Sequence, residues 1–489
     1  MAVMAASHHE SFYHLQDVDP ASRACRGLAC FVARGKDPAR WERACEHATR
    51  VYCLGKCYRA PAAGPDPERP LVGVHAREAI VLRDIVEGGA LTLEAFRSRG
   101  GYRALERALR RPPEEIVRAI ETSELRGRGG AGYPTGRKWR TVFGQPAEEK
   151  YVVANADEGD PGAYIDRLIL EDNPHGVIEA LAIAGYAVGA RRGYIYLRAE
   201  YPDARLRLTT AIEEARRAGL LAAPTFGSGF SFDVHLEVGR GSYLCGEETA
   251  LLNAIEGRRP EVRTRPPYPA ASGLFGQPTL VNNVETLASV PWIVERGGDA
   301  YRRLGFSSSR GTKVLSLSSL FRRPGLYEVE FGLPVRQVVE ELGGGLGSGM
   351  LKGVMIGGPL AGVIPPSLLD TPLGFEELHA IGASVGHGGV VAFDERTSIL
   401  ELVQHVFDFG AYESCGKCTP CRLGTRRIER IFGRILTGSG AGASDHDEWH
   451  ELIHTLARTS LCGHGTALAE FAASIVRYYG PELQPCFAS

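Results

Sequence analysis

The stretch LRGRGGAGYPTGRKW, residues 125–139, is the part of the sequence that most constrains the fold. Its glycines have the spacing G-x-G-x-x-G, which in a standard dinucleotide-binding unit follows a strand and opens a helix. Here a predicted helix over 113–124 precedes it, so the standard context is missing. Successive glycines still allow backbone N–H groups to face a phosphate, and Arg126, Arg128 and Lys138 add positive charge. We predict a phosphate-binding loop; a plain glycine-rich surface loop and an RNA-binding Arg-Gly tract are the alternatives.

The sequence that follows this loop predicts an α/β layer. Short apolar runs at 151–155 and 193–197 are typical of buried strands. Amphipathic stretches at 174–190 and 203–218 are typical of helices. This alternation favours a largely parallel sheet.

The C-terminal half has a different character. Predicted strands at 312–317 and 325–329 and a short helix at 335–342 indicate a small α+β domain within 312–395. After Thr397 the pattern is helical to the end. The total of 489 residues is enough for about three or four domains.

Three polar segments stand out. NADEGDPGA at 155–163 and GSYLCGEET at 241–249 accompany predicted strands, and LVNNVET at 280–286 contains two adjacent asparagines. Open α/β sheets bind ligands at the carboxyl ends of their strands, and acids buried there without a partner are costly. Paired amides, as at Asn282 and Asn283, suit a polar planar ring or hydroxyl groups because each amide offers donors and acceptors. A solvated turn or a helix cap is the alternative for each segment alone.

The strongest motif is ESCGKCTPCR at 413–422. Cys415, Cys418 and Cys421 have the spacing C-x2-C-x2-C, and Cys462 follows forty residues later. Such a run lets three thiolates converge on one corner of a [4Fe-4S] cluster, with a fourth ligand from elsewhere. A structural zinc site is the main alternative, and unligated buried cysteines are the other.

A second cysteine set lies near the N-terminus. Cys25 and Cys30 form C-x4-C, and Cys53 and Cys57, after a gap of twenty-two residues, form C-x3-C. Four thiolates in two loops suit a [2Fe-2S] cluster. Zinc and an empty relic site are the alternatives.

Composition excludes several classes of protein. The 58 acidic residues nearly balance the 56 basic ones, so no global field attracts nucleic acid or an anionic membrane. We expect no membrane span and no signal peptide, and hence a cytoplasmic protein. In that compartment the eleven cysteines are not expected to form disulfides.

The glycine loop, the three polar segments and the C-terminal cysteines, in this order, resemble the NADH-binding flavoprotein subunit of respiratory complex I. They also resemble its soluble relatives, the diaphorase subunits of NAD-reducing hydrogenases and of NAD-dependent molybdenum or tungsten formate dehydrogenases. The resemblance covers about residues 111–480. It implies FMN and NAD(H) in one cavity and a [4Fe-4S] cluster in the C-terminal bundle. The N-terminal cysteines resemble a thioredoxin-like [2Fe-2S] domain of the partner subunit, here fused and with a shorter spacer.

The resemblance implies a multidomain α/β chain. Its parts are a flexible N-terminus (1–14), a short thioredoxin-like [2Fe-2S] domain (15–75), a helical connector (76–110), a Rossmann-like FMN/NADH domain (111–298), a β-grasp domain (299–395) and a helical bundle with the [4Fe-4S] cluster (396–489).

Carried over position by position, the resemblance assigns cofactor contacts to Gly127, Gly129, Gly130, Tyr133, Lys138, Asn155, Asp157, Glu158, Asp160, Tyr243, Gly246, Glu247, Glu248, Tyr268, Asn282 and Asn283. It implies no catalytic acid–base residue, because the flavin carries the hydride chemistry; Asp160, Glu247 and Glu248 are expected nearby. Tyr133 and Tyr268 stand where the family usually has phenylalanine, and Thr141 where many members have another aromatic residue.

Asp160 stands where complex I forms usually have glutamate. Together with residues 163–167 and 385–391, it looks more like the hydrogenase and formate dehydrogenase branch. We therefore expect a diaphorase subunit in a hetero-oligomer with a catalytic subunit that acts on formate or hydrogen and a further [2Fe-2S] or ferredoxin-like subunit. A complex I subunit is the alternative within the family, and a non-catalytic zinc-stabilised scaffold is the alternative from another class.

Overall fold

The computed structural model describes residues 10–46, 49–64, 68–89, 91–439 and 442–487. The N-terminal part contains helix α1 (Glu10–Tyr13), strand β1 (Arg23–Cys25), helices α2 (Leu28–Val32) and α3 (Pro38–Glu46), and strands β2 (Thr49–Val51) and β3 (Leu71–Val74). β1 and β2 pair in parallel.

The expected flexible N-terminus, 1–14, lies partly outside the described residues. The described end of this segment is packed. Phe12 is buried in an apolar cluster with Leu244 and Val262. Leu15, just after the segment, is also buried and donates its backbone N–H to the Arg240 carbonyl at 3.1 Å.

Three short helices, α4 (Arg83–Val86), α5 (Leu93–Ser98) and α6 (Arg103–Leu109), follow in the region predicted as a helical connector. They pack on the central helices through buried Ile85, Phe96 and Leu105.

The central domain is a four-stranded parallel sheet with helices around it. The strands are β4 (Tyr151–Ala156), β5 (Arg192–Leu197), β6 (Asp233–Val238) and β7 (Thr279–Asn283), in the order β6-β5-β4-β7. The helices are α7 (Pro113–Thr122), α8 (Thr135–Phe143), α9 (Ile165–Asp172), α10 (Pro174–Val188), α11 (Pro202–Arg217), α12 (Glu248–Ile255), α13 (Val284–Ala288) and α14 (Val290–Arg296). The predicted parallel α/β layer is confirmed.

Helix signals in the sequence explain where these helices begin and end. α7 begins at Pro113 with Glu114 and Glu115 in its first turn, which complements the helix dipole. The Asn173 side chain accepts a bond from Gly176 N at the start of α10, and α10 ends at Gly189 with a left-handed φ of 81°.

The next region contains helix α15 (Gly298–Arg302), strands β8 (Gly305–Phe306), β9 (Ser309–Arg310), β10 (Thr312–Leu317) and β11 (Gly325–Glu330), helix α16 (Val335–Gln337) continued by a wider turn at Val338–Leu342, strand β12 (Leu351–Ile356), helix α17 (Phe375–Ala380) and strand β13 (Gly389–Asp394). Its main sheet has the order β12-β13-β10-β11-β3. A mixed sheet with few helices agrees with the predicted α+β character.

The position of β3 differs from the prediction, which placed residues up to 75 in the N-terminal domain. Leu71–Val74 pair in parallel with β11, not with β1 or β2. The edge of β11 offers unpaired backbone groups that β3 satisfies, and a four-residue strand carries no sequence signal for its partner.

The C-terminal region is a bundle of α18 (Ile399–Tyr412), α19 (Thr419–Leu436), α20 (Ala443–Thr459) and α21 (Gly463–Leu483). Buried Phe407, Phe432 and Trp449 meet in its core. No helix in the described part of the chain has the length and apolar character that crossing a bilayer requires.

Candidate functional site

A cavity of about 840 Å³ opens at the carboxyl ends of β4 and β7. Its wall comes from the glycine loop, the segments after the strands and α12, and the 386–388 loop of the following region. Of the sixteen predicted contact residues, all but Gly130 and Glu158 line it. The three polar segments, far apart in sequence, therefore meet as predicted for the end of a parallel sheet.

The glycine loop forms one wall of the cavity. A Cβ on Gly129 would lie 3.0 Å from the Asn283 Cβ, a tight contact, so glycine favours the close approach of the loop to β7. Gly130 has a φ of 119° and faces the backbone of Gly386 instead of the cavity.

The structure corrects the role expected for two basic residues of this loop. Arg128 is buried and donates to the carbonyls of Arg310 and Thr312 at 2.7 and 3.1 Å. Arg126 pairs with Glu376 at 2.6 Å. Both anchor the loop to the next region, because their long side chains reach acceptors there. Of the three, only Lys138 lines the cavity.

Lys138 belongs to a charged group on α8 and α12. Its Nζ lies 3.0 Å from Glu248 Oε2 and donates to the Val281 carbonyl at 3.1 Å. Arg265, which the sequence did not single out, lies 3.6 and 3.7 Å from Glu247 and Glu248. This wall can therefore offer both cations and carboxylates to a polar ligand.

The asparagine amides hold the cavity walls together. Asn155 Nδ2 donates to the Gly246 carbonyl at 2.8 Å, and Asn282 Oδ1 accepts from the Trp139 indole at 2.9 Å. Asn283 caps α13, since its side chain accepts from the Thr286 N–H.

Two acids and a tyrosine lie at the end of β4. Burial raises the pKa of Asp157 well above its ordinary value and also raises the pKa of Asp160. The Tyr243 hydroxyl donates to Asp160 Oδ1 at 3.0 Å.

Glu158 does not line the cavity. It is 1% exposed and accepts the backbone N–H groups of Ile165, Asp166 and Arg167 at 2.6 to 3.0 Å. It therefore caps the start of α9, because the free N–H groups of a helix require acceptors. Burial and the neighbouring Asp166 raise its pKa to about 7.

The C-terminal cysteines meet where α19 and α21 begin. The Lys417 backbone N–H donates to Cys415 Sγ at 3.4 Å, and hydrogen bonding with Cys421 lowers the pKa of Cys418 to about 5. Cys415 and Cys418 act electrostatically on Cys462, so the remote fourth cysteine lies in the same neighbourhood as the C-x2-C-x2-C run.

The N-terminal cysteines Cys25, Cys30, Cys53 and Cys57 are all buried free thiols. The Sγ atoms of Cys53 and Cys57 are 3.7 Å apart, and hydrogen bonding with Cys30 and Cys53 raises the pKa of Cys25. The two predicted pairs therefore share one pocket. Cys53 Sγ lies 3.8 Å from the Ala163 carbonyl, so this pocket adjoins the loop that carries Asp157 and Asp160.

Comparison with known proteins agrees with this arrangement. Residues 120–292 match the Nuo51 FMN-binding domain, and residues 401–485 match the NADH-ubiquinone oxidoreductase-F iron-sulfur binding region. The chain is 46% identical over 369 residues to the NADP-reducing hydrogenase subunit HndC of Solidesulfovibrio fructosivorans, covering 75% of each chain. It is 42% identical over 407 residues to an NADH-quinone oxidoreductase subunit of Rhizobium meliloti (strain 1021), covering 83% of this chain and 96% of that one.

The chain belongs to the family of the flavoprotein subunit of NADH-quinone oxidoreductase. Among solved structures, it is similar to a chain of the NAD+-reducing [NiFe]-hydrogenase in the H2-reduced state, with a TM-score of 0.83, 29% identity, and coverage of 98% of this chain and 87% of that one. It is thus an NAD(H)-dependent flavin and iron–sulfur oxidoreductase subunit with FMN and a [4Fe-4S] cluster as cofactors.

The cavity of this flavoprotein subunit fits FMN. Thr135 Oγ1 and His464 Nδ1 are buried and have no hydrogen-bond partner among the described residues, and both residues line the cavity. A ligand with acceptors and donors would satisfy these atoms. When bound, FMN supplies hydride acceptance from NADH and single-electron release to an iron–sulfur cluster.

Sequence reasoning missed Asp166 and His387 as site residues, although both line the cavity. They lie in residues 163–167 and 385–391, which look more like the hydrogenase and formate dehydrogenase branch than like complex I. That difference is the sequence signal that could have pointed to Asp166 and His387. Tyr133 and Tyr268 are 50% and 58% exposed on the cavity wall.

Proposed function

We propose that this chain is the diaphorase subunit of a hetero-oligomer that transfers electrons between NAD(H) and a partner catalytic subunit acting on hydrogen or formate. The observation that carries the proposal is the structural likeness of 98% of this chain to a chain of the NAD+-reducing [NiFe]-hydrogenase, with a TM-score of 0.83 and 29% identity. The 46% identity to the hydrogenase subunit HndC supports the same branch.

The N-terminal cysteines support a [2Fe-2S] cluster in a short thioredoxin-like domain. Gly27 and Gly55 donate backbone N–H groups to Cys25 Sγ at 3.4 Å and Cys53 Sγ at 3.3 Å. Such bonds stabilise cluster thiolates and tune their potential. We further assign the helical connector, the Rossmann-like FMN/NADH domain, the β-grasp domain and the cluster-bearing bundle to the ranges predicted above, with β3 reassigned to the β-grasp sheet.

None of the ten cysteines whose side chains the structure describes forms a disulfide, which is consistent with a reducing compartment such as the cytoplasm. We expect a further [2Fe-2S] or ferredoxin-like subunit to link this chain to the catalytic one, and neither nucleic acid nor membrane to be a direct partner.

The partner is tested by native, anaerobic purification through a tag on this chain, followed by elemental analysis. Nickel in the complex would support a hydrogenase, and molybdenum or tungsten would support a formate dehydrogenase. A complex that carries iron as its only transition metal and reduces quinone would overturn the proposal in favour of complex I. A complex that carries iron as its only transition metal and oxidises or produces hydrogen would support the proposal, with an iron-only hydrogenase as the partner.

The N-terminal cluster is tested by Cys53→Ser, with Cys486→Ser as the matched control outside both cysteine sets. The first variant should lose about two iron atoms per chain and a [2Fe-2S] electron paramagnetic resonance signal, while the control retains both. Equal iron content in the two variants would contradict the [2Fe-2S] assignment. Zinc bound by these cysteines in the wild-type protein would show that the site is a zinc site.

A further inference from the structure

His387 reaches the flavin cavity from the region after the central domain. It lies in the loop before β13, is 5% exposed and lines the cavity together with Gly129 and Asn283. The loop comes close to the cavity because it is almost all glycine: a Cβ on Gly386 would lie 2.3 Å from the Gly357 Cα. A buried histidine is thus presented to the cofactor site by backbone that other residues could not form.

Both nitrogens of this imidazole face carboxylates. Nε2 lies 3.0 Å from Asp166 Oδ2, and Nδ1 lies 3.5 Å from Glu158 Oε1. The amide nitrogen of Asn283, 3.3 Å from Nε2, is itself a donor. Nδ1 makes no hydrogen bond with the described residues, so its contact with Glu158 is electrostatic. The doubly protonated ring is the form in which positive charge faces both carboxylates.

The remaining charged neighbours are Asp160 and Lys313, which act on His387 at longer range. Lys313 forms a fully buried ion pair with Glu285. Burial lowers the pKa of His387, but the carboxylates of Asp166 and Glu158 outweigh it and hold the pKa at about 9.

His387 also fixes the amide of Asn283 through Asp166. Asp166 Oδ2 accepts from both His387 Nε2 at 3.0 Å and Asn283 Nδ2 at 2.6 Å. Asp166 Oδ1 accepts the Glu285 backbone N–H at 3.2 Å. The Asn283 Cβ is in turn the atom against which Gly129 packs. The chain His387–Asp166–Asn283 therefore connects the loop before β13, the first turn of α9 and the end of β7.

We propose that His387 is a positioning residue of the flavin cavity whose imidazolium holds Asp166 and Asn283 in place and stabilises the flavin in its two-electron-reduced state by its positive charge. The physical reason is that a preorganised charge in a buried site acts strongly on charge that develops beside it. This inference concerns the flavin site alone and holds for any partner subunit.

The test is the flavin midpoint potential of His387→Gln, measured by spectroelectrochemical titration of the purified complex. Glu158, with a raised pKa of about 7, can take up a proton when the cation is removed and conceal its loss. The variant is therefore also made in a Glu158→Gln background. The Glu158→Gln/His387→Gln protein should have a more negative midpoint potential than Glu158→Gln alone.

His175→Gln is the matched control. His175 is equally buried and bonds Glu214 at 3.0 Å, but it does not line the cavity. The flavin midpoint potential of His175→Gln should equal that of wild type. A Glu158→Gln/His387→Gln protein that retains FMN and has the same midpoint potential as Glu158→Gln alone would overturn the proposal.

If the double variant does not retain FMN, the pH dependence of the midpoint potential in the wild-type protein and in His387→Gln tests the proposal instead. The midpoint potential of the wild type should fall more steeply with pH above about 9, where the imidazolium loses its proton, and His387→Gln should lack this extra slope. The same slope in both proteins would overturn the proposal.

Discussion

The Tyr243 hydroxyl donates a hydrogen bond of 3.0 Å to Asp160 Oδ1, and both side chains line the flavin cavity. Tyr243 also packs edge-on against Phe409 of the C-terminal bundle, with ring centroids 5.0 Å apart. Tyr243 thus joins Asp160, in the loop after β4, to helix α18 of the C-terminal bundle.

We expect Asp160→Asn to raise the flavin midpoint potential by tens of millivolts, because it removes a negative charge beside a site that gains electrons. Because burial raises the pKa of Asp160, the titration is made at about pH 8 and at higher pH, where the charged form is favoured. The asparagine can still accept the Tyr243 bond. Asp203→Asn, at an exposed acid on α11, is the control, and an equal potential in both variants would contradict the prediction.

Much of this site was predictable because its signals are local. The spacing of Cys415, Cys418 and Cys421 and the polar residues after β4 and β7 are properties of short segments. Once the alternation of strands and helices predicts a parallel sheet, the carboxyl ends of its strands must share one edge.

The remainder depends on contacts between distant segments. His387 and Asp166 are 221 positions apart, and neither has a spacing pattern that points to the other. The position of Arg128 beside glycines predicts a phosphate ligand, because arginine often has that role there. The direction of its side chain depends instead on carbonyl acceptors in β9 and β10. Glu158 follows a strand like its neighbours, yet its carboxylate turns inward to cap α9.

Lys138→Met should weaken NADH binding. A hydrogen bond to a charged group contributes about 1.5–3 kcal/mol, so the KM for NADH should rise roughly ten- to a hundredfold, with a smaller change in kcat. Lys352→Met is the control, because Lys352 pairs with Glu482 at 2.8 Å outside the cavity. FMN content is measured in parallel; a KM equal to the control's in FMN-loaded protein would remove Lys138 from the nucleotide site.

Cys462→Ser should abolish the [4Fe-4S] cluster while FMN remains bound, because it removes the fourth ligand at the start of α21 and most of the flavin cavity wall comes from the central domain. Iron content should fall by about four atoms per chain, and electron transfer beyond the flavin should stop. Cys486→Ser again serves as the control. Retention of the [4Fe-4S] signal in Cys462→Ser would point to a different fourth ligand.

Glu179→Gln tests a buried acid away from the cofactor sites. Glu179 is 3% exposed on α10, and its Oε1 accepts the Leu105 N–H at 3.0 Å. Burial raises its pKa from 4.5 to about 7. The folded state therefore binds more protons than the unfolded state between these values, and this group's contribution to stability falls as pH rises through that window.

The glutamine keeps the acceptor for Leu105 and has no charge to bury. The variant should therefore be more stable than wild type at about pH 8, by up to about 3 kcal/mol, and nearly equal to it at about pH 5. Thermal unfolding of the FMN- and cluster-loaded protein at both pH values measures the difference. Glu213→Gln, at an exposed position on α11, should show no such pH dependence. A stabilisation that is the same at both pH values would mean that Glu179 acts through packing and not through its charge.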